Sequence, residues 1–395
     1  MSDRGAPATA GRATAWIDDE LAAIRASGLE RRVLDLAGAP GPTVVLDGRE
    51  MLLLGSNNYL DLAAHPLVVE GAMAAARGFG AGSGASRLVS GATQLHADLE
   101  ARLAGFVGAE AVLLFSSGYL ANVSTIQALV GEGDVVFSDA LNHASIIDGC
   151  RLSHARVEVY PHGDLAALER LLERTPGRRR LLVSDTVFSM EGDEADVAAL
   201  AAMAERFDAM LMLDESHALG VLGPDGAGLV VEQGAAGSVD VRMGTLSKAL
   251  GSAGGFIAGS AALVHLLRHR ARGFVFDTAP APPSVGAALA ALDVIAAEPE
   301  RRHRLLDLSA RLRAGLEGAG LKPQPGRSAI VPLVIGDADA AMAVAARMRE
   351  AGVLAPAIRP PSVPPGTSRL RLTVSAGFTP AQVDDAVGAI VAATT

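Results

Sequence analysis

Lysine is almost missing from this sequence of 395 residues. Of its 34 basic residues, only Lys248 and Lys322 are lysines, and the rest are arginines. Under such a bias a site that needs only a positive charge would carry arginine, so a remaining lysine indicates a need that arginine cannot meet. Lys322, in GLKPQPG, is typical of a loop, whereas Lys248 lies in GTLSKALGSAGG among small residues.

Cysteine is just as scarce. The single cysteine, Cys150, permits no internal disulfide and gives no basis for a cysteine-rich metal centre. We therefore expect a reducing compartment, no bound metal, and a buried apolar position for Cys150. An excess of positive charge is lacking too, because the formal net charge is −10 and the isoelectric point is near 5.4. This balance argues against nucleic-acid binding.

Long apolar runs are also absent. No stretch has the uninterrupted length of a membrane span, and the opening MSDRGAPATAGRATAW contains no apolar core typical of a signal peptide. With 50% hydrophobic and 20% charged residues, the composition is typical of a globular protein. We expect a cytoplasmic protein that binds no membrane.

What the sequence does contain is a regular alternation of short apolar runs and helical patterns, starting at AVLLFSS. This alternation predicts an α/β fold, with a large and mainly parallel sheet covered by helices on both faces. We also predict a helix over 15–36 and a helical region over 284–318. The predicted organisation is an N-terminal helical segment (1–50), a large domain (51–285) and a smaller C-terminal α/β domain (286–395).

Reactive side chains follow several of the predicted strands. Ligands of open α/β sheets bind beyond the carboxyl ends of the strands, and Lys248 is predicted to lie in that region. Burial or a neighbouring cation can make lysine neutral, and it can then attack a carbonyl, which arginine cannot do. The alternative is an exposed lysine at the start of a helix.

A lysine that forms an imine with pyridoxal phosphate needs a carboxylate facing the ring nitrogen, a phosphate site, and groups around the ring. Asp214, at the end of the apolar run MLMLD, offers the carboxylate, and His217 follows three residues later. His143, in DALNHAS, has a flat ring that can stack on the cofactor. The hydroxyls of Ser189 and Thr245 lie at neighbouring strand ends.

The phosphate site is predicted in SSGYLANVST, where a helix starts directly after a strand. Free amides and the helix dipole favour a phosphate there, and the candidates are Ser117, Gly118 and Tyr119. Each candidate has an ordinary alternative as well, because such residues also serve as helix caps or as buried histidines with satisfied hydrogen bonds. Metal binding is disfavoured, since DESH offers only two poorly spaced ligands.

Together these motifs resemble those of the α-oxoamine synthases, a family of pyridoxal-phosphate enzymes with the aspartate-aminotransferase type of fold. The likeness runs from LLLGSNNYLDLAAHP to near the C-terminus and includes LLFSSGYLAN, NHASIIDG, FSMEGD, DESHALGV and TLSKALGSAGGF. It implies that Lys248 holds the cofactor covalently and that Asp214 pairs with the pyridine nitrogen. It also implies that His217 contacts the ring oxygen and that His143 stacks on the ring.

A carboxylate clamp and shared sites are implied by the same resemblance. Arg371, in RLRLTVSA, matches the arginine that binds the amino-acid carboxylate, a task that suits its planar fork. Arg369 lies on the same face of the strand and is the alternative. Thr278, in VFDTAP, is implied to reach the phosphate of a neighbouring subunit in an obligate homodimer.

Within the family, SAIVPLVIGD and AIRPPSVPPGTSRLRLTVSA resemble most the branch that serves biotin synthesis. This likeness implies that L-alanine condenses with a pimeloyl thioester, carried as pimeloyl-CoA or pimeloyl acyl carrier protein, with loss of carbon dioxide. Candidates for binding the CoA or pimeloyl end are Arg31, Arg32 and Arg359.

Two motifs depart from the family pattern. DESH carries Ser216 where alanine is usual, and SNNYLDL carries Asn58 and Asp61 where aspartate and glycine are common. The second departure adds a carboxylate near a segment expected at the acyl channel. Other functions therefore remain open: glycine C-acetyltransferase, a ketone synthase using another acyl-CoA, an aminotransferase, or a cofactor-binding regulator without turnover. No DNA-binding extension is visible for the last of these.

Overall fold

A seven-stranded sheet lies at the centre of the protein, and the computed structural model describes residues 12–395. The strands are β1 (Thr43–Leu46), β2 (Arg49–Leu53), β3 (Ala111–Phe115), β4 (Val135–Asp139), β5 (Arg156–Tyr160), β6 (Arg180–Asp185), β7 (Met210–Asp214), β8 (Val241–Thr245), β9 (Gly255–Gly259), β10 (Ile330–Gly336), β11 (Val353–Leu354), β12 (Ala357–Ile358) and β13 (Ser368–Thr373). The helices are α1 (Trp16–Ala26), α2 (Pro66–Phe79), α3 (Gln94–Val107), α4 (Gly118–Leu129), α5 (Ala144–Leu152), α6 (Leu165–Arg174), α7 (Val197–Arg206), α8 (Leu229–Glu232), α9 (Ala261–Arg270), α10 (Arg272–Val275), α11 (Pro282–Ala297), α12 (Glu300–Gly318), α13 (Ala338–Glu350) and α14 (Pro380–Thr394).

The central sheet is mainly parallel, with the strand order β3-β9-β8-β7-β6-β4-β5. Only β9 runs antiparallel to its neighbours. Alternate residues of the inner strands enter two separate cores: Leu182 and Leu213 belong to one buried cluster, and Val183 and Met212 to the other. Helices therefore cover both faces, which explains why these strands are apolar without alternation. The predicted α/β fold is confirmed.

Two smaller sheets join the beginning of the chain to its end. One has the order β1-β2-β11, in which Leu52 of β2 pairs in parallel with Val353 of β11. The other has the order β10-β13-β12, with Arg371 of β13 opposite Pro332 of β10. The strands that precede the central sheet thus pack with the C-terminal elements. The division into segments 1–50, 51–285 and 286–395 remains a prediction.

Two of the predicted helical regions differ in extent from the structure. The first helix ends at Ala26 rather than at residue 36, because Gly28 has a φ of +68° and helical geometry stops there. The region 284–318 contains two helices, α11 and α12, which are separated around Pro299. None of the helices described over residues 12–395 combines the length and apolar character needed to cross a bilayer.

Helices α2 and α11 cross at a pair of glycines. A Cβ atom on Gly286 of α11 would lie 2.4 Å from the carbonyl oxygen of Gly71 in α2. A Cβ atom on Gly71 would in turn lie 2.7 Å from the carbonyl oxygen of Gly286. Since both obstacles are backbone atoms, a side chain at either position forces the two helices apart.

We expect Gly286→Ala to destabilise the protein by about 1–3 kcal/mol, because it overpacks this crossing. Thermal unfolding, followed by circular dichroism, measures the effect. Gly78→Ala is the matched control: Gly78 lies in α2 with nothing near its Cβ position, so alanine there leaves stability unchanged or slightly raises it. Equal melting temperatures for Gly286→Ala and the unmodified protein would contradict a tight crossing.

Candidate active site

Lys248 lies in the turn between β8 and β9, at the carboxyl edge of the parallel strands. Burial lowers the pKa of its ammonium group to about 8, against the raising effects of Asp214 and Asp185. The glycines after it are required by the turn: Gly251 has a φ of +60°, and a Cβ there would lie 2.5 Å from the backbone nitrogen of Ala63. The result is an amine that gives up its proton far more readily than an exposed lysine.

Asp214 ends β7 and is buried. Its Oδ1 accepts a hydrogen bond from the backbone N–H of Ser216 at 2.8 Å, and its Oδ2 accepts one from Asn122 Nδ2 at 2.7 Å. Asn122 lies on the buried side of α4, and no sequence motif indicates its contact with Asp214. The two donors fix the orientation of the carboxylate.

His217 is buried beside Tyr59. Its Nδ1 lies 2.6 Å from the hydroxyl oxygen of Tyr59. The pKa of His217 is lowered well below its usual value, first by burial and then by the charges of Lys248 and Arg371. The ring is therefore neutral, and Tyr59 is a contact that the sequence analysis missed.

His143 caps the N-terminus of α5. Its Nδ1 accepts a hydrogen bond from the backbone N–H of Ser145 at 3.2 Å, and its own backbone N–H donates to Asp185 Oδ2 at 2.7 Å. Burial lowers the pKa of His143, and Asp214 and Lys248 act on it in opposite directions. Burial also raises the pKa of Asp185 well above its usual range. Lys248, Asp214, His143 and His217 are thus close enough to influence one another's charge.

Arg369 and Arg371 have different partners. Nη1 of Arg369 donates to Glu191 Oε1 at 2.8 Å and so forms an ion pair. Arg371 donates from Nε to the carbonyl oxygen of Ser189 at 2.5 Å, and from Nη2 to Asn57 Oδ1 at 3.1 Å. Within residues 12–395 Arg371 has no carboxylate partner. Its positive charge is therefore available to a bound anion.

The predicted phosphate site lies at the N-terminus of α4. Ser117 caps the helix, since its side chain accepts a hydrogen bond from the backbone N–H of Leu120. The N–H groups of Gly118 and Tyr119 are the first two of the helix and have no acceptor within it. The Tyr119 hydroxyl instead donates to Asp148 Oδ2 at 2.5 Å, so this residue offers its amide rather than its side chain.

Close packing explains the glycine at the start of α4. A Cβ on Gly118 would lie 2.7 Å from the Cε atom of Met243 and 3.4 Å from Thr245 Oγ1. Thr245 is buried and bonds to its neighbours, with its Oγ1 2.8 Å from Ser247 Oγ and donating to the Gly254 carbonyl at 3.0 Å. Thr245 therefore ends β8 beside the start of α4.

The remaining candidates are Thr278, Arg31, Arg32 and Arg359. Thr278 is exposed, although the neighbouring Asp277 contacts Ser116. Arg31 and Arg32 are exposed. Arg359 donates to the backbone carbonyls of Gly28 and Glu30, so it fastens the segment that carries Arg31 and Arg32.

Both departures from the family motifs have a structural explanation. Ser216 donates a hydrogen bond to the sulfur of Met243 at 3.3 Å, leaving Asp214 undisturbed. Asn58 accepts from the backbone N–H groups of Leu62 and Ala63, at 3.0 and 3.1 Å, and so closes a turn. Asp61 has a φ of +57°, a conformation that glycine adopts readily and aspartate tolerates.

An ionic triad holds the loop beside this site. His162 Nδ1 lies 3.0 Å from Asp139 Oδ1, and its Nε2 lies 2.9 Å from Asp193 Oδ2. Hydrogen bonds to these two carboxylates raise the pKa of His162 to about 10. The ring also packs edge to face on Phe188. The triad thus fixes the turn that carries Ser189, whose carbonyl orients Arg371.

We expect His162→Gln to lower stability at pH 6 by about 2 kcal/mol, because it leaves two carboxylates without their cation. The folded pKa lies above the unfolded value, so the stabilisation by His162 is complete below about pH 6.5 and is lost as the pH rises through about 10. The difference between variant and parent in urea unfolding should therefore shrink from pH 6 to pH 9.5. His303→Gln, at an exposed position on α12, should show no such trend; a constant deficit for His162→Gln would refute the charged triad.

Pyridoxal phosphate fits the residues that the structure brings together. The amine of Lys248 has a lowered pKa, as imine formation requires. Asp214 offers a buried carboxylate that forms no ion pair within residues 12–395. A protonated ring nitrogen can supply the missing positive partner. The N-terminus of α4 offers amides for a phosphate, and His143 offers a neutral, flat ring.

Comparison with known proteins supports the same assignment. Residues 49–390 match the family model of aminotransferase class I and II. An 8-amino-7-oxononanoate synthase from Anaeromyxobacter dehalogenans is 52% identical over 377 residues, which are 95% of each chain. A second, from Geobacter sulfurreducens, is 48% identical over 380 residues and covers 95% of this chain and 97% of that protein.

Solved structures with similar folds include a serine palmitoyltransferase from Sphingomonas wittichii. Its TM-score is 0.91 at 32% identity, and the match covers 97% of both chains. A structure of SPT with PLP has a TM-score of 0.90 at 31% identity, covering 96% of this chain and 97% of that one. The chain therefore belongs to the aminotransferase class I and II family and, within it, to the α-oxoamine synthases that its motifs indicate.

Proposed function

We propose that this protein is an 8-amino-7-oxononanoate synthase that uses pyridoxal phosphate to condense L-alanine with a pimeloyl thioester, releasing carbon dioxide. The observation that carries the chemistry is Lys248, an amine with a pKa of about 8 beside Asp214 and Arg371. The acyl chain is inferred from relatives of that name, which are about half identical over 95% of the chain.

The cofactor, when bound, supplies an electron sink for the α-carbon of the amino acid. Lys248 would hold it covalently and, once displaced by alanine, would accept the α-proton at Nζ. A pKa of about 8 makes this possible near neutral pH, because a useful fraction of the amine is unprotonated. Asp214 would pair with the protonated ring nitrogen, and its two hydrogen-bond donors hold the carboxylate in place.

Binding of the amino acid is assigned to Arg371 rather than to Arg369. Arg371 has a free positive charge and is oriented by Ser189 and Asn57. Arg369 is already paired with Glu191. A bidentate bond from Arg371 to the carboxylate of alanine would fix the orientation of its α-carbon.

The remaining roles follow from position. Ser117, Gly118, Tyr119 and Thr245 would hold the phosphate at the start of α4, His217 would contact the ring oxygen, and Ser189 would offer a further hydroxyl to the cofactor. His143 would stack on the ring and polarise the carbonyl of the thioester. Arg31, Arg32 and Arg359 are the candidates for the CoA or pimeloyl end.

We also propose a homodimer with shared sites, located in the cytoplasm. Exposed apolar side chains support a contact surface for a partner subunit. Val33 is 92% exposed, Val89 is 79% exposed and Phe276 is 71% exposed. Phe276 lies two residues before Thr278, the residue expected to reach the partner's phosphate site. The proposed domain organisation is a segment at 1–50, a large domain at 51–285 and a small domain at 286–395.

Product analysis tests this function directly. Holoenzyme is incubated with L-alanine and pimeloyl-CoA or pimeloyl acyl carrier protein, and carbon dioxide and the amino ketone are measured by mass spectrometry. We expect 8-amino-7-oxononanoate, at a kcat/KM well above that for glycine with acetyl-CoA or serine with palmitoyl-CoA. Faster turnover of the serine and palmitoyl-CoA pair would replace this proposal with the function of the structural neighbours.

A further inference from the structure

A continuous chain of hydrogen bonds connects His143 to Asp214 through two buried residues. Ser145 Oγ lies 2.7 Å from His143 Nδ1, and Asn122 Nδ2 lies 2.9 Å from the same Oγ. Asn122 Nδ2 also lies 2.7 Å from Asp214 Oδ2. Neither Ser145 nor Asn122 is exposed to solvent.

The direction of every bond in this chain can be assigned. The backbone N–H of Ser145 points at His143 Nδ1, 3.2 Å away, and an amide N–H can only donate. Nδ1 is therefore an acceptor without a proton, and the Ser145 hydroxyl also donates to it. The oxygen of that hydroxyl in turn accepts one hydrogen from Asn122. The second hydrogen of the Asn122 amide goes to the carboxylate of Asp214.

This arrangement leaves His143 with one protonated nitrogen. A proton on Nδ1 would face the backbone N–H of Ser145, which has no lone pair to receive it. A neutral ring then carries its proton on Nε2, where it can serve as a hydrogen-bond donor. The charged groups that act on the ring are Asp214, Lys248 and Asp148, and burial keeps the ring neutral among them.

We propose that Ser145 and Asn122 are positioning residues that hold His143 in the Nε2–H tautomer, with Asp214 as the fixed end of the chain. Resting on the proposed function, the role of this tautomer is to present an N–H donor to the carbonyl oxygen of the thioester. The other tautomer would present a lone pair there and repel the oxygen. The group that polarises the acyl substrate is thus oriented by the same carboxylate that pairs with the ring nitrogen.

Nitrogen NMR of the holoenzyme tests the tautomer without any substrate. The protein is loaded with pyridoxal phosphate and labelled with ¹⁵N in the rings of its nine histidines. The signals of His143 are those missing from His143→Asn. We expect Nδ1 to have the chemical shift of an unprotonated nitrogen and Nε2 that of a protonated one. The reverse pattern, or two protonated nitrogens at neutral pH, would overturn the proposal whether or not the Ser145 variants fold.

Kinetics of Ser145→Ala then test the consequence. We expect kcat/KM for the thioester to fall about tenfold or more, with KM for L-alanine nearly unchanged, and the His143 signals to move towards those of mixed tautomers. Ser145→Thr keeps the hydroxyl and should restore both readouts. Ser153→Ala removes a buried serine at the opposite end of α5, which bonds only to the backbone, and should change neither.

These outcomes separate the two proposals. If the unmodified enzyme made no product from alanine and pimeloyl-CoA, the proposed function would fall, while the NMR result for His143 would stand. If it made the product but Ser145→Ala altered neither the tautomer nor the thioester kcat/KM, the positioning role would be refuted and the function retained.

Discussion

Replacing Lys248 with alanine should lower turnover of L-alanine and pimeloyl-CoA by about 10⁴-fold or more, because it removes the proposed covalent anchor and proton acceptor. Lys248→Arg should be equally inactive, since arginine retains its proton at any working pH. Charge alone is then insufficient, and this would explain why lysine persists here in a chain whose other cations are almost all arginine.

The matched control is Lys322→Ala, which changes the only other lysine of the sequence. Lys322 is exposed, and its replacement should leave activity unaltered. Borohydride treatment of the protein loaded with pyridoxal phosphate, followed by peptide mass mapping, should find the cofactor on Lys248 alone. In the cofactor-free protein the rate of this attachment should rise with pH through about 8 and then level off. Covalent cofactor on Lys322, or turnover by Lys248→Ala, would refute the assignment.

Much of this architecture can be predicted from the sequence because the parallel strands are covered on both faces. A strand buried in two cores has few polar residues before its end, so RLLVSD and MLMLD are recognisable and their terminal aspartates stand out. Helix ends are harder to predict. The sequence after residue 26 still fits a helical pattern, so it does not mark the end of the helix. Only the positive φ of Gly28 in the structure shows that the chain turns there.

The residues missed at the candidate site have a common feature: they contact other groups of the protein rather than the expected ligand. Asn122 is a polar residue on the buried side of α4, and its place in GYLAN gives no sign that it meets Asp214 from a strand 92 residues later. Asp185 had a usable signal, because it ends β6 as Asp214 ends β7, and the two are paired in register. Sequence spacing identifies groups at a strand end but not which of them share a hydrogen bond.

The choice between Arg369 and Arg371 shows this limit most clearly and gives a second large expected effect. Two arginines on one strand face are equivalent in sequence, yet only Arg369 has a carboxylate, Glu191, as its partner. We expect Arg371→Lys to raise KM for L-alanine about 100-fold, because a lysine cannot form the bidentate bond to a carboxylate. The maximal rate should fall less, since the lost bond is present before and during the reaction.

Arg369→Lys provides the comparison within the same strand. A lysine there can still pair with Glu191, so KM for L-alanine should rise less than about threefold, while the melting temperature falls by a few degrees as hydrogen bonds to the Thr367 and Met190 carbonyls are lost. Initial rates at varied alanine and saturating thioester separate the two variants. Equal increases in KM would show that the carboxylate is bound by the pair and not by Arg371. A larger increase for Arg369→Lys would reverse the assignment, and the Glu191 ion pair would then have to open when the amino acid binds.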